Sequence, residues 1–299
     1  AADRLPGALA RLDQALATAP GPLVVAPETA IPVLPDQLGD EAWRGFSAPF
    51  REGPRGALIG LPLGSYEAGY TNSVVGLSRE APLPYYRYDK QHLVPFGEFI
   101  PTGFRWFTEM MSIPLGDFAR GPRVPPSFAF GGQRLAPNIC YEDLFGEELA
   151  RRFGSAAEAP TVLVNLSNIG WFGDTIAIEQ HLNISRARSL ELQRPMLRAT
   201  NTGATAAIDH RGVVHARLPN FSRGTLQAEV EGRDGLTPYA RWAGALGLWP
   251  AAALALAVVA LAFSKRRPAA MAPGDHRPAS VTVTWSWRRS GSSAWACRP

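Results

Sequence analysis

Three ionisable side chains, each beside a strand-like stretch of sequence, could together attack a carbonyl carbon. They are Glu28, Lys90 and Cys140. A cysteine nucleophile needs a base that accepts its proton and a positive group that stabilises the oxyanion formed by the attack. Singly, a cysteine in an apolar run is usually a core residue, and a lone lysine or glutamate usually lies at the surface. The catalytic interpretation therefore depends on the three occurring together.

The residues around these side chains form longer strings that resemble a known family. The matching strings are residues 27–32, Lys90 with 94–98, 140–142, 167–174 and 194–203. In this order they resemble the nitrilase superfamily of carbon–nitrogen hydrolases and acyltransferases, and their longer details are similar to the apolipoprotein N-acyltransferase family. The resemblance covers most of residues 4–264. Fold, chemistry and substrates are expected to follow that family.

The resemblance implies a two-step reaction whose substrates are membrane lipids. Cys140 would take a fatty acyl chain from a membrane phospholipid as a thioester, then pass it to the N-terminal diacylglyceryl-cysteine amine of an apolipoprotein. Glu28 would be the general base, and Lys90 would hold the oxyanion together with the backbone N–H of Tyr141. We also expect the positive charge of Lys90 to favour the thiolate of Cys140.

Four further residues belong to the predicted site. Glu98 and Glu142 match carboxylates of the family pattern, and we expect them to position the lysine and to shape the surroundings of the nucleophile. Their structural alternatives are a helix-capping or loop carboxylate for Glu98 and a solvated surface carboxylate for Glu142. Trp171 and Phe172 could line an acyl pocket, with core packing as an equally weighted alternative.

Strands interleaved with helices predict an α/β domain. Apolar residues at near-helical spacing predict an amphipathic helix over residues 4–18, and further helices are expected over 145–153 and 178–193. Short apolar runs predict strands at 23–26, 57–61, 73–77, 161–166 and 204–209, the last in a hairpin with 213–216. The resemblance implies a nitrilase-like four-layer α-β-β-α sandwich over residues 1–238, followed by one C-terminal transmembrane helix.

The stretch 242–263 holds 22 residues without a charged side chain and is followed by a basic flank at 265–267. A helix of that length could cross a hydrocarbon core of about 30 Å, whereas a buried core helix explains the length and the flank less well. We therefore predict a transmembrane helix within 239–264 and a basic, disordered tail over 265–299. The positive-inside rule then places the catalytic domain on the periplasmic side of a bacterial inner membrane.

Composition argues against nucleic acid, metal and cofactor binding. The net charge of +4 includes +6 from residues 265–299, which leaves −2 on the remainder and no basic stripe for phosphates. The two cysteines, Cys140 and Cys297, imply no disulfide framework, and the five histidines show no metal-ligand spacing. No dinucleotide, Walker or serine-hydrolase motif occurs. We expect a protein without nucleic acid partner, metal or cofactor.

Two other functions stay open at this point. A nitrilase-type amidase hydrolysing small amides would use the same three residues with water as the acceptor, and the uncharged stretch argues against it. A non-catalytic, membrane-tethered binding domain would leave the site idle, and the intact three-residue set argues against that. Against the family pattern, the chain starts without the preceding membrane helices and the first strand, so we expect an N-terminally truncated domain with an unpaired sheet edge.

Overall fold

Four strands form the first of two β-sheets in the computed structural model, which describes residues 5–65, 67–101 and 118–264. In order across the sheet they are β1 (Leu23–Val25), β2 (Gly56–Ser65), β3 (Gly69–Leu77) and β4 (Tyr86–Asp89). β1 is parallel to β2, whereas β2–β3 and β3–β4 are antiparallel pairs. β1 and β4 therefore run in the same direction, and the residues that follow them emerge at the same end of the sheet, where both strands have their C-termini.

Six strands form the second sheet, in the spatial order β10-β9-β8-β7-β6-β5. They are β5 (Phe128–Phe130), β6 (Gln133–Ile139), β7 (Val162–Ser167), β8 (Met196–Thr200), β9 (Ala206–Ile208) and β10 (Val214–Arg217). The central strands β6, β7 and β8 are parallel, and the outer pairs are antiparallel. Every residue of β7 is buried, as expected for a parallel strand covered on both faces.

Helices cover the outer face of each sheet. In chain order the helices of the described residues are α1 (Leu5–Thr18), α2 (Pro35–Leu38), α3 (Asp40–Glu52), α4 (Gly146–Ala150), α5 (Ala177–Leu192), α6 (Pro238–Leu246) and α7 (Trp249–Ser264), the last of which has no buried residue. Leu16 of α1 and Phe50 of α3 pack in one cluster with Ile59 of β2. Apolar residues of α4, α5 and α6, such as Ala240, form a second cluster with β7 and β8. Each sheet thus has its own helical layer.

The two sheets pack against each other through a third apolar cluster. Leu58, next to Ile59 in β2, lies there with Val74 of the first sheet and with Ile139 and Val164 of the second. Successive side chains of a strand point to opposite faces, so β2 contributes alternately to the helix-facing cluster and to the cluster between the sheets. The layers therefore follow the order α-β-β-α, as predicted for this α/β domain.

Most predicted elements are present, with corrections at 145–153. The predicted helices at 4–18 and 178–193 agree with α1 and α5 within one residue, and the predicted hairpin is the antiparallel pair β9–β10. The stretch 145–153 is not one helix, because α4 gives way to a tighter 3₁₀ turn at Arg151–Phe153. In that turn the buried Arg152 donates to the carbonyl of Pro137 at 2.7 Å. Helices α2 and α3 and strands β4, β5, β6 and β8 were not predicted.

The uncharged C-terminal stretch is divided, so the prediction of one continuous helix over 242–263 is wrong. Gly247 ends α6 with a left-handed φ of 58°, and Pro250 lies in the first turn of α7, where its missing N–H costs no hydrogen bond. Within the described ranges no single helix is long and apolar enough to span a membrane; α6 and α7 reach that length and composition only as a pair bent by 83°. The predicted tail lies outside the described residues.

Candidate active site

The three predicted catalytic residues all follow strand ends. Lys90 comes directly after β4 and Cys140 directly after β6, while Glu28 lies shortly after β1. Because β1 and β4 run in the same direction, the residues that follow them lie at the same end of the first sheet. The second sheet packs against the first through the apolar cluster that contains Ile139. This contact brings the neighbouring Cys140 to the same end of the first sheet.

Lys90 is held in a buried cluster of polar side chains, called here the lysine cluster, which consists of Glu28, Asn72, Lys90 and Glu98. The Lys90 Nζ atom lies 2.9 Å from Glu98 and 3.6 Å from Oε1 of Glu28. Asn72 Nδ2 donates to Oε1 of Glu28 at 2.7 Å and to Oε1 of Glu98 at 2.8 Å. Two carboxylates thus share one ammonium and one amide.

The charge balance of the lysine cluster keeps Lys90 protonated. Burial alone would lower the pKa of Lys90, but the carboxylates of Glu28 and Glu98 raise it more, and the pKa stays above its ordinary value. An ammonium with only 1% of its surface exposed needs such partners, because an unpaired buried charge is costly. The lysine is therefore a fixed positive charge and a hydrogen-bond donor at the site.

Cys140 sits on a strained turn, as the first residue of a 3₁₀ helix at Cys140–Leu144 that directly follows β6. Its φ of 53° is left-handed, a conformation that non-glycine residues seldom adopt. Such strain is typical of functional sites, where the surrounding structure holds it in place. The tight turn ends the strand at the nucleophile itself.

The thiol of Cys140 is protonated in the resting site. Burial and the charge of Glu28 raise its pKa to about 12, although Lys90 and a hydrogen bond to Asn168 act in the opposite direction. Lys90 thus lowers the pKa of Cys140, as expected, but burial and Glu28 raise this pKa by more. A protonated thiol beside a carboxylate suits general-base chemistry, in which the proton leaves as the sulfur attacks.

Asn168 links the base to the nucleophile through its backbone. Its N–H donates to Oε2 of Glu28 at 2.6 Å, and its carbonyl oxygen lies 3.9 Å from the Sγ of Cys140. Asn201 adds a bond from Nδ2 to the backbone oxygen of Glu28 at 3.1 Å. The loop after β7 and the loop after β8 therefore both fix the position of the carboxylate.

Comparison with known proteins identifies the family. Residues 17–235 match the family model described as carbon-nitrogen hydrolase. The chain belongs to the carbon–nitrogen hydrolase family. This match covers both sheets and the three strand ends that carry Glu28, Lys90 and Cys140, so the site described above lies within the family's own domain.

Curated relatives of this chain include apolipoprotein N-acyltransferases. The chain is 59% identical over 242 residues to that of Verminephrobacter eiseniae (strain EF01-2), covering 79% of this chain and 45% of the relative. It is 50% identical over 257 residues to that of Ralstonia nicotianae (strain ATCC BAA-1114 / GMI1000), covering 85% of this chain and 47% of the relative. The chain thus spans about half the length of the curated relatives it matches.

Solved structures of the family share the fold of this chain. The superfamily protein XC1258 from Xanthomonas campestris matches with a TM-score of 0.52 and 18% identity, covering 92% of this chain and 93% of the other. A carbon–nitrogen hydrolase from Helicobacter pylori G27 matches with a TM-score of 0.52 and 17% identity, covering 72% and 80%. At these identities the likeness concerns the fold alone.

Glu142 is a buried carboxylate rather than a solvated surface group. It accepts hydrogen bonds from the N–H groups of Ile139 at 2.7 Å, Gln91 at 2.6 Å and His92 at 3.1 Å, and from the hydroxyl of Tyr88 at 2.5 Å. Burial raises the pKa of Glu142 while these donors act against the rise. One side chain thus ties the end of β6 to β4 and to the loop that follows the lysine.

Glu98 is likewise bonded into the site. Besides Lys90 and Asn72, its carboxylate accepts the N–H of Val94 at 2.9 Å. This closes the loop between the lysine and Glu98 on itself. The carboxylate therefore contacts the lysine directly, and the alternative of a helix-capping or loop carboxylate does not describe these contacts.

The aromatic candidates occupy different surroundings. The ring of Tyr141 lies edge-on to those of His92 and Phe145, with centroids 5.4 Å and 5.1 Å away. Trp171 and Phe172 belong to a short 3₁₀ turn after β7 and are 85% and 58% exposed. Their exposure contradicts the core-packing alternative.

Sequence reasoning missed Asn72 and gave Asn168 no role of its own. A signal for Asn72 was present, because residues 71–73 are polar within an otherwise apolar strand. Asn168 acts through backbone atoms, which sequence does not show. Among the described residues, no group of three or more histidine, cysteine, aspartate and glutamate side chains could hold a metal ion.

Proposed function

We propose that this chain is the catalytic part of an apolipoprotein N-acyltransferase. The observation that carries the chemistry is the meeting of a protonated cysteine, a carboxylate and a buried ammonium in Glu28, Lys90 and Cys140. The identity of the substrates is supported by the relatives named apolipoprotein N-acyltransferase, at 59% and 50% identity. The donor is a membrane phospholipid, and the acceptor is the diacylglyceryl-cysteine amine of an apolipoprotein.

In the first step the enzyme forms a thioester. The Sγ atom of Cys140 bonds to the ester carbonyl carbon while its proton moves to Glu28. The oxyanion is stabilised by Lys90 Nζ and the N–H of Tyr141. The intermediate then breaks the C–O bond of the ester, and Glu28 returns the proton to the departing lysophospholipid alcohol.

In the second step the acceptor amine attacks the thioester. Glu28 takes a proton from the nitrogen as the new C–N bond forms, and the same two donors hold the oxyanion. The C–S bond then breaks and the proton returns to the sulfur of Cys140. The free enzyme is restored in its protonated form, as the raised pKa of the thiol requires.

The supporting residues have distinct roles in this proposal. Glu98 positions the ammonium of Lys90, because it is the carboxylate closest to Nζ. Glu142 fixes the loop after the lysine and the end of the strand before the nucleophile. Trp171 and Phe172, exposed close behind Asn168 in the chain, contact the acyl chains of the lipid substrates, since apolar rings at a surface bind apolar partners.

We further propose that residues 239–264 attach the enzyme to a bacterial inner membrane, with the domain over 1–238 on the periplasmic side. Helix α7 has no charged residue, and its 16 residues extend over about 24 Å at 1.5 Å per residue. Apolar side chains along α7, such as Leu256 and Phe263, are exposed, as in a helix that lipid covers. The basic residues at 265–267 favour a cytoplasmic side for the tail over 265–299.

The test is the mass of the full-length protein after incubation with phosphatidylethanolamine in detergent. Wild type and Cys140→Ala are compared. We expect a fatty-acyl adduct that hydroxylamine removes on wild type, and no adduct on Cys140→Ala. The matched control is Cys297→Ala, which removes the other cysteine of the sequence and should leave the adduct in place.

Other outcomes point to the competing functions. A folded protein without an adduct that releases ammonia from small amides is a nitrilase-type amidase. A folded protein that does neither, yet binds lipid, is a tethered binding domain. An adduct that persists in Cys140→Ala contradicts the assignment of the nucleophile.

A further inference from the structure

A second buried cluster of polar side chains contacts the backbone of the nucleophile and has no part in the steps above. We call it the histidine cluster; it consists of Asp143, His181, Ser185 and Arg198. Asp143 accepts hydrogen bonds from His181 Nε2 at 2.9 Å and from the Ser185 hydroxyl at 2.5 Å, and lies 3.4 Å from Nη1 of Arg198. The members come from the 3₁₀ helix after the nucleophile, from α5 and from β8.

The hydrogen bonds of this cluster fix which nitrogen of His181 carries the proton. Nη2 of Arg198 lies 2.5 Å from Nδ1 of His181. A guanidinium has donors and no acceptor, so Nδ1 must accept this bond. The proton of the neutral ring is therefore on Nε2. From there it points to Asp143 and also to the carbonyl oxygen of Cys140, which is 3.2 Å away.

The carbonyl oxygen of Cys140 has a second side-chain donor. Asn165 Nδ2 lies 3.0 Å from it and also donates to Asn138 Oδ1 at 2.7 Å. The orientation of this amide is fixed as well, because its Oδ1 accepts the hydroxyl of Ser167. Two buried donors thus hold one carbonyl at the point where the chain adopts its left-handed φ.

The direction of that carbonyl determines the direction of the next N–H. The peptide bond between Cys140 and Tyr141 is planar and trans, so its C=O and N–H point in opposite directions. With the oxygen turned toward His181 and Asn165, the N–H of Tyr141 is turned away from both. A flip of this peptide would break both bonds and remove the N–H from the oxyanion.

We propose that His181 is a positioning residue: by holding the carbonyl of Cys140 through Nε2, it aims the N–H of Tyr141 at the oxyanion. This inference rests on the proposed acyl transfer, in which that N–H stabilises both tetrahedral intermediates. Arg198 acts one step further away, because it sets the tautomer of His181. The cluster touches no substrate in this scheme.

The test compares His181→Gln with His181→Asn in the full-length protein. The amide nitrogen of glutamine can occupy the place of Nε2 and keep the hydrogen bond to the Cys140 carbonyl. The asparagine side chain is one methylene shorter, so its amide nitrogen does not reach that carbonyl. The control pair is His215→Gln and His215→Asn, since His215 makes a surface pair with Asp209 at the same 2.9 Å. Both control variants should behave as wild type.

Two rates are read for each variant. One is acylation of Cys140, by phosphatidylethanolamine and separately by a p-nitrophenyl ester, which passes through an oxyanion. The other is alkylation by iodoacetamide, which does not. We expect His181→Asn to lower both acylation rates by about 10- to 100-fold, below the full loss of one oxyanion donor, with alkylation changed by less than about two-fold. His181→Gln should restore most of the acylation rate.

Equal losses of acylation and alkylation would overturn the proposal, because they indicate general damage to the fold. So would acylation of His181→Asn at the wild-type rate. If His181→Asn does not fold, Asn165→Ser removes the other side-chain donor to the Cys140 carbonyl. The proposal then requires that this variant lose acylation while alkylation by iodoacetamide stays near the wild-type rate. A wild type that reacts with the p-nitrophenyl ester but not with phospholipid contradicts the proposed function, while the ester still tests the role of His181.

Discussion

The lysine cluster and the histidine cluster are both buried, yet their charges differ in balance. The lysine cluster places two carboxylates, Glu28 and Glu98, around the single ammonium of Lys90. In the histidine cluster the carboxylate of Asp143 faces the guanidinium of Arg198, and the tautomer argument leaves His181 neutral. One cluster has excess negative charge and the other has none.

The difference separates two tasks. In the lysine cluster the two carboxylates raise the pKa of Lys90 against the effect of burial, while burial and the charge of Glu28 together raise the pKa of the neighbouring Cys140 thiol. A base and a protonated nucleophile are therefore found in one site. In the histidine cluster burial lowers the pKa of Arg198 below its ordinary value, and the charge of Asp143 offsets only part of that shift. An unbalanced cluster suits the transfer of a proton, whereas a balanced one suits the fixing of a backbone.

Glu28→Gln should break the first task and give the largest effect. The rate of acylation should fall by about 10²–10⁴-fold, since the base is lost. Removing the negative charge also removes a cause of the raised pKa of Cys140, so alkylation by iodoacetamide at pH near 9 should become faster. Acylation and alkylation are measured by mass on the same samples, with the surface variant Glu179→Gln as control. A parallel fall of both rates would contradict this account.

Arg198→Met should disrupt the histidine cluster, and we expect the effect as a loss of folding stability. It leaves Asp143 buried without its cation, and removing one partner of a buried pair costs about 3–5 kcal/mol. The matched control is Arg217→Met, which breaks the exposed pair with Glu179 and should cost less than about 1 kcal/mol. Thermal unfolding of the two full-length variants gives the comparison. Equal shifts in Tm would mean that burial of the first pair has no energetic weight.

The pH dependence of alkylation sharpens the account of the thiol. An ordinary cysteine gains little reactivity above a pH of about 9, because it is then mostly thiolate. With its pKa raised to about 12, Cys140 should react on the order of 10²–10³-fold more slowly than a free thiol at that pH, and its rate should still rise tenfold per pH unit. Iodoacetamide rates between about pH 7 and pH 10.5 test this. A plateau near pH 9 would show that the site does not suppress the thiolate.

The fold class and the three predicted catalytic residues could be read from sequence because local strings carry them. The supporting contacts could not. Asn72 meets a carboxylate 44 residues away, and His181 meets a carbonyl 41 residues away, so both contacts exist only once the strands and helices are assembled. In sequence His181 was one of five scattered histidines, and the absence of metal spacing gave no hint of its role.

The error at the C-terminus has a different cause. Hydropathy over 242–263 measures composition, and an uncharged run satisfies it whether or not the backbone is continuous. The division at Gly247 depends on a left-handed φ that glycine adopts readily. A glycine followed closely by Pro250 was the available signal for two helices.

Asn72→Ala should give the smallest of these effects and tests how the lysine cluster is held together. The variant removes the one amide that bonds both carboxylates, while the backbone oxygen of Asn72 still accepts the N–H of Lys90 at 2.8 Å. Each lost bond to a charged group is worth about 1.5–3 kcal/mol before the cluster relaxes. Because Lys90 still pairs both carboxylates, we expect about a tenfold loss in acylation with little change in the Kd for phospholipid.

The control for Asn72→Ala is Ser73→Ala, in the same strand, whose hydroxyl bonds Asp89 at 2.7 Å instead of the catalytic carboxylates. Acylation rates and phospholipid binding are measured for both variants. If they lose acylation equally, the strand as a whole is responsible and the bridging amide has no special part. If Asn72→Ala alone is slowed, the shared amide orients Glu28 for proton transfer, and the base depends on a residue that belongs to neither carboxylate's loop.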